Sequence, residues 1–451
     1  MNTDIYNVKD NFVGRLIRFS LPLILQYLII NCLNLVDNLM IGNLGEISIS
    51  GVGLGNQIFF LANLFMVGIT GGATIFLAQF WGKKDISSIH KTMGISLIMT
   101  MLIAVFFTTA GTAFPKQVIG IYSQDPLVIE EGARYLRIAA LSYIPFAIIM
   151  VLVSSLRATG NVRVPLFASL IALSLNTCLN YCLIFGKFGF PELGVEGAAI
   201  ATTIARSIEA LLLIAIVYGK KFEIAATLKQ LFTIPFSFIR KIISKISLVL
   251  LNEGFWALGT TCYSIIYARM GTDVLTVMNI SFVIFNISFV IALGIGQALG
   301  IMIGNSLGAR DFDKAKRDAK RALPTAFFMG IVIAAIMFLL RTSILSLYNV
   351  SPDIIKQVNN VLYAMLGLLP INCVAFTLFI GILRAGGDTK FCTIVDVGAL
   401  WLIGLPLAFL GAFVLKLPVV FVFILARMES ISRVIVCFIR YRSFKWVKDI
   451  T

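Results

Sequence analysis

The sequence predicts an all-α polytopic membrane protein: twelve transmembrane helices in two pseudo-symmetric six-helix lobes around a central cavity. Three observations carry this. The composition is 59% hydrophobic and only 13% charged, where a soluble domain has roughly a quarter of its residues charged. Apolar runs of about 20 residues, the length that spans a bilayer core, recur twelve times along the chain. The chain is also written twice. Phe19-Ser20-Leu21-Pro22, Gly82-Lys83-Lys84-Asp85 and Leu156-Arg157-Ala158-Thr159-Gly160 are answered by Ile246-Ser247-Leu248-Val249, Gly308-Ala309-Arg310-Asp311 and Leu383-Arg384-Ala385-Gly386-Gly387. The offset is a nearly constant 226 residues or so, and matched halves in an apolar chain are a common plan among transporters.

In order, the spans are expected near 16–41, 50–79, 91–114, 132–156, 164–186 and 194–218 in the first half. The second half places them near 243–268, 275–305, 322–343, 358–382, 391–414 and 417–439. This gives an N-lobe over 1–218, a connecting segment over 219–242 and a C-lobe over 243–451. Pro22 lacks a backbone N–H early in the first span and is expected to bend it. Its repeat counterpart is Val249, so the bend belongs to one lobe. The segment from Ala309 to Arg321 alternates charge at helical spacing and reads as a solvated cytoplasmic helix.

Lys and Arg placement orients the chain. Lys9, Arg15, Arg18, Lys83, Lys84, Arg157, Arg163, Lys220, Lys221, Arg240, Arg310, Arg317, Arg384 and Arg440 fall on one side. The other side holds few, among them Lys116, Arg134, Lys187, Arg269, Arg341 and Lys416. Both termini are therefore expected in the cytoplasm, and an even number of spans requires the same parity. The formal charge of +15 is spread between apolar runs instead of gathered in patches with aromatics, which argues against nucleic acid.

Seven cysteines, Cys32 among them, lie in or beside apolar runs and read as small fillers, while a single histidine, His90, makes an imidazole metal site implausible. There is no sign of a cleavable signal peptide, because the first apolar run is long and follows a polar start. No nucleophile–base constellation or phosphate loop points to an enzyme. Nothing calls for an oligomer, so a monomer is expected.

Intramembrane acids and amides are the candidate functional groups. Asp37 lies about 28 Å along its helix from Arg18, with no basic neighbour in sequence. It either faces a pathway and binds a cation or pairs with an outer basic group such as Arg269. Asn176 and Asn180 are four apart and share a helix face. Beside a carboxylate they would form an oxygen-rich pocket suited to Na⁺ or to a protonated acid; alternatively they join helices by hydrogen bonds. Glu253 has no basic partner in its own segment and reads as a partner for a drug's charge or a second cation site. Arg206/Glu209 and Glu429/Arg433 sit at helical-neighbour spacings and are expected to neutralise themselves. Asp396 is expected near the cytoplasmic start of its span, in contact with water.

The chain resembles the multidrug and toxic compound extrusion (MATE) family. Pro22-Leu23-Ile24-Leu25, Leu35-Val36-Asp37, Gly42 and Leu44-Gly45 are similar to its first helix. Asn176, Leu179-Asn180-Tyr181 and Leu193-Gly194-Val195-Glu196-Gly197-Ala198-Ala199, with Ala201-Thr202, are similar to its fifth and sixth, and Leu383-Arg384-Ala385-Gly386-Gly387-Asp388-Thr389 to the exit of its tenth. The resemblance implies a plasma-membrane antiporter without a cofactor, exporting cationic lipophilic compounds against Na⁺ or H⁺ by alternating access. It places the coupling cation at Asp37, Asn176, Asn180 and Thr202, and implies that ion binding there changes the bend at Pro22. Two departures stand out. Asn180 replaces an aspartate of the best-described branch, and Cys373 falls where NorM-type members carry a tenth-helix aspartate, leaving Glu253 alone in the second lobe. The alternative is a flippase for a lipid-linked or amphipathic metabolite. A diphosphate carrier needs Arg and Lys in its cavity, however, whereas the charges left without a sequence partner here are mostly acidic.

Overall fold

A computed structural model describes residues 11–451 apart from Leu347 and Asn349; Lys9 and the side chains of Cys32, Asn34 and Leu35 lie outside it. Among the described residues, eleven helices are long and apolar enough to span a membrane. They are α1 (Phe12–Gly42), α2 (Glu46–Gly82), α3 (Ile86–Ala113), α4 (Pro126–Ala158), α5 (Arg163–Phe185) and α6 (Gly194–Gly219), then α7 (Phe236–Arg269), α8 (Thr272–Gly308), α9 (Phe312–Leu345), α10 (Pro352–Arg384) and α11 (Thr389–Val414). The twelfth expected span is present as two pieces, Val419–Ala426 and Met428–Arg442, interrupted at Arg427 and together called α12. Leu102, Phe106, Leu211, Leu339 and Leu402 stand more than three-fifths exposed on these helices. In water such a surface would aggregate; on a helix of spanning length it is the lipid-facing side.

Most helices begin before their apolar windows. α9 starts at Phe312, so the charged stretch expected as a separate solvated helix is instead the first turns of a span. Asp318 within it is buried and bound to Arg15, whose Nη2 donates at 2.9 Å. The outward charges of that stretch remain solvated, but this acid does not.

The duplication reappears in the turns. Lys84 (φ 61°) and Arg310 (φ 57°) adopt left-handed backbone, and each is followed by an aspartate that caps the next helix. Asp85 accepts from Ser88 N–H and Asp311 from Lys314 N–H, the usual N-cap bond three residues on. Gly160 and Gly387 likewise share positive φ, at 86° and 80°, conformations that glycine adopts without a Cβ penalty.

The chain forms two compact units. One comprises Met1–Ile24, Gly82–Lys84 and Leu251–Thr451; the other comprises Leu25–Trp81 and Asp85–Leu250. In the first unit the core gathers Tyr267, Val277, Met278, Leu362, Leu369 and Val422. In the second, Ile58, Met66, Ala104, Leu136 and Tyr143 form one cluster, and Ile41, Val52, Ile184 and Val195 belong to another. Small residues there bring helices close: a Cβ on Gly51 would stand 2.7 Å from the Gly132 nitrogen of α4. The connecting segment belongs to this unit and folds back onto α3. Its short helix Leu228–Phe232 rests on Gly94, where a Cβ would strike the Leu231 carbonyl, and His90 Nε2 lies 2.8 Å from the Glu223 carbonyl oxygen.

Candidate functional site

Asp37, Asn176, Asn180 and Thr202 come together inside the second unit, from α1, α5 and α6. Asn180 Nδ2 donates to Asp37 Oδ1 at 2.8 Å. Asn176, with its amide oriented to satisfy both ends, donates to Asp37 Oδ2 at 3.0 Å and accepts from the Thr202 backbone N–H at 3.2 Å. Thr202 Oγ1 lies 3.4 Å from the same amide. Both asparagines are buried, which the four-residue spacing on α5 achieves by stacking them on one face.

The geometry grips each carboxylate oxygen with one amide donor, an arrangement that supports an anion without discharging it. The charge partner raised as an alternative is not in place: among the described residues Asp37 makes no ion pair, and its polar contacts are amides. Asn180 Oδ1 is buried with no hydrogen-bond partner among the described residues. A buried acceptor without a donor costs roughly 1–3 kcal/mol. An oxygen of this kind beside a carboxylate and a threonine hydroxyl is the hard donor set that Na⁺ takes, and a proton on Asp37 could equally turn toward an amide oxygen.

Pro22 lies inside α1, as its position requires, and leaves the Arg18 carbonyl without its helical donor. One turn later comes Gln26, a residue that sequence reasoning passed over. Arg157 Nη2 donates to Gln26 Oε1 at 2.6 Å, and the guanidinium stands over the Tyr27 ring at 5.4 Å. Gln26 Nε2 in turn donates to Ser169 Oγ at 2.8 Å, and Ser169 donates to Glu209 Oε1 at 2.6 Å. The expected Arg206/Glu209 pair therefore does not form. Arg206 turns instead to Ser142 Oγ at 2.9 Å and lies over the rings of Phe59 and Phe146, at 4.0 and 4.8 Å. Three-residue spacing brought the two to adjacent surface, but Phe59 and Phe146 offer the Arg206 guanidinium a cation–π seat.

In the first unit, Glu253 is not unpartnered. Arg384 Nη2 donates to its Oε1 at 3.1 Å, and both side chains are largely buried. The contact is the repeat counterpart of Arg157–Gln26, since 384 − 157 and 253 − 26 both equal 227. The expected Glu429/Arg433 pair is exchanged for two others. Arg433 binds Asp396 at 2.9 Å, and Glu429 takes Arg427 at 3.3 Å with the Tyr263 hydroxyl at 3.0 Å. Asp396, expected to be wet, is 6% exposed and also accepts from Asn252 at 3.0 Å. Cys373 is buried in the apolar core of this unit.

A contrast follows between the units. The span-interior acids of the first, Glu253, Asp396 and Glu429, each hold an arginine. Those of the second, Asp37 and Glu209, hold amides and a hydroxyl.

The MatE family profile matches residues 22–182 and 255–410. The sequence is 28% identical to the uncharacterized transporter YisQ of Bacillus subtilis over 434 residues, 95% of this chain and 94% of that one. It is 25% identical to the probable multidrug resistance protein NorM of Thermotoga maritima over 436 residues, covering 96% and 93%. Among solved structures, a variant of the Vibrio cholerae MATE transporter VcmN aligns with a TM-score of 0.87 at 18% identity, over 97% of this chain and 98% of that one. This last similarity concerns the fold.

Proposed function

Because the chain belongs to the MatE family, whose members are membrane transporters and not enzymes, we propose that it exports cationic amphipathic compounds in exchange for Na⁺ or H⁺, with Asp37 as the coupling group. The observation that carries this reading is the Asp37 cluster: an intramembrane carboxylate held by Asn176 and Asn180, without an ion pair among the described residues, beside a buried amide oxygen that lacks a donor among them. An acid in such a place is stable when a cation joins it, and unstable enough when bare to make occupancy matter. The multidrug-resistance names of relatives such as the Thermotoga protein support the substrate class.

In this reading a drug cation enters from the cytoplasm, balanced by a bare carboxylate. An incoming Na⁺ or proton then occupies Asp37, with Thr202 and Asn180 supplying oxygens, and displaces it. Neutralising Asp37 changes what its amides hold, and the α1 backbone is weakest one helical bond from Pro22, so the bend there is where the change is absorbed. Coupling in this reading does not call on Glu253, which is held by Arg384. The protein acts in the plasma membrane as a monomer with both termini in the cytoplasm.

The test is ethidium transport in proteoliposomes with Na⁺ and H⁺ gradients imposed separately, for wild type and Asp37→Asn. One gradient should drive transport, and the substitution should reduce the rate about tenfold or more. Transport that survives the substitution would move coupling away from Asp37. If neither gradient moves dye, export of cationic drugs is wrong, and a flippase for an amphipathic metabolite becomes the better reading.

A further inference from the structure

We infer that Glu209 is a second cation station in the same unit, so that two cations exchange for each drug molecule. The inference rests on the coupling role proposed for Asp37 and concerns how many ions accompany it.

Polar groups of the second unit occupy two levels on the same three helices. The upper level is Asp37 on α1, Asn176 with Asn180 on α5, and Thr202 on α6. The lower level is Gln26, Ser169 and Glu209, on the same helices in the same order. Gln26 precedes Asp37 by eleven residues, Ser169 precedes Asn176 by seven, and Glu209 follows Thr202 by seven. At about 100° per residue, eleven or seven steps return to within about 20° of the starting face. Each lower group therefore lies beneath its upper partner, about 10–16 Å toward the N-terminal end of α1. Together they form a polar column through otherwise apolar helices.

The lower level is a built site. Gln26 and Ser169 are 4% and 5% exposed. Every donor in the chain points the same way: Arg157 to Gln26, Gln26 to Ser169, Ser169 to Glu209. The charged groups around Glu209 are accounted for. Arg157 of α4 is two side chains away, and Arg206 on its own helix acts on Glu209 only through space, its guanidinium donating to Ser142 and lying over two rings. Among the described residues α5 contributes Ser169, and Gln26 of α1 reaches Glu209 only through it. Glu209 therefore makes no ion pair among the described residues, whereas each span-interior acid of the first unit does. A carboxylate within the bilayer and without a direct counter-charge takes up a cation or a proton. A purely structural acid would be expected to resemble Glu253, Asp396 and Glu429.

Two cations entering for one monovalent drug leaving move one net charge inward. The equilibrium dye gradient should then shift about 50-fold per 100 mV. The experiment uses the full chain in proteoliposomes, with the ion gradient fixed, a potassium–valinomycin potential varied, and ethidium as the probe. Wild type should respond to potential. Glu209→Gln, which can still accept from Ser169, should remove the shift of the equilibrium dye gradient with potential whatever its transport rate, and Glu209→Asp should restore that shift. A structural role would lower rate or stability without changing charge per dye. Electroneutral exchange by wild type overturns the inference even if no variant folds, as does a Glu209→Gln protein that keeps its response to potential. Absence of gradient-driven transport in wild type would instead defeat the coupling reading on which the inference rests.

Discussion

At the scale of single residues, the arginine partners of the buried acids decide which acids are free to act. Glu253 is held by Arg384 across 131 residues of sequence. Removing one member of such a buried pair strands the other, at a cost of roughly 3–5 kcal/mol, while removing both is far milder. Arg384→Ala should therefore lower the melting temperature of the purified protein strongly, and Arg384→Ala with Glu253→Gln should recover most of the loss. Equal destabilisation by the single and double substitutions would show that the pair is not a unit. The acid itself was visible in the sequence as a charge within an apolar run. Its partner was not, because Arg384 is equally well placed to be one more basic residue at a cytoplasmic helix end.

Among the elements, the connecting segment 219–242 is the one whose state the sequence left most open. Its hydrophilic composition marked it as a link between halves. In the structure it is fastened to α3, with the capping box of Thr227 and Gln230 starting its helix and Gly94 admitting the Leu231 carbonyl. Gly94→Ala must push that carbonyl away, and overpacking of this sort costs roughly 1–3 kcal/mol. Proteolysis at Lys229 should be slow in wild type and accelerate in Gly94→Ala, with the spans unaffected; unchanged cleavage would mean that the contact does not hold the segment down. Helix α12 makes a related point. It was expected as one span, and the structure interrupts it at Arg427, whose guanidinium lies against Glu429 and the ring of Phe423.

For the molecule as a whole, the end of the chain ties down one unit. Trp446 is fully buried, its backbone carbonyl against Gly386, and Asp449 binds Arg310 at 3.2 Å. Burial acts to raise the Asp449 pKa, but bonds from Thr451 and Arg310 and the charge of Lys83 act the other way and leave it below the ordinary value of 3.8. A depressed carboxylate stabilises the folded form above its unfolded pKa and loses that contribution as pH falls through the folded value. Trp446 fluorescence should therefore stay constant from neutral pH down to about 4 and shift red below that. Asp449→Asn should remove this acid-dependent step. A shift centred near neutrality would exclude Asp449 as its cause.

The sequence by itself determined the duplication and eleven of the twelve expected spans, because a bilayer core demands an apolar run of fixed length. It also marked Asp37, Asn176 and Asn180, since an acid and two amides at helical spacing stand out inside apolar runs, while Thr202 was marked by the family resemblance alone. Only the tertiary structure decided which of those groups meet. Helical spacing states which residues share a face, not what that face meets, so Arg206 and Glu209 part company while Asp396 finds Arg433. Gln26 and Ser169 gave no signal at all in sequence. An amide and a hydroxyl cost little to bury once bonded, and their part in the column exists only because α1, α5 and α6 bring them within hydrogen-bonding distance.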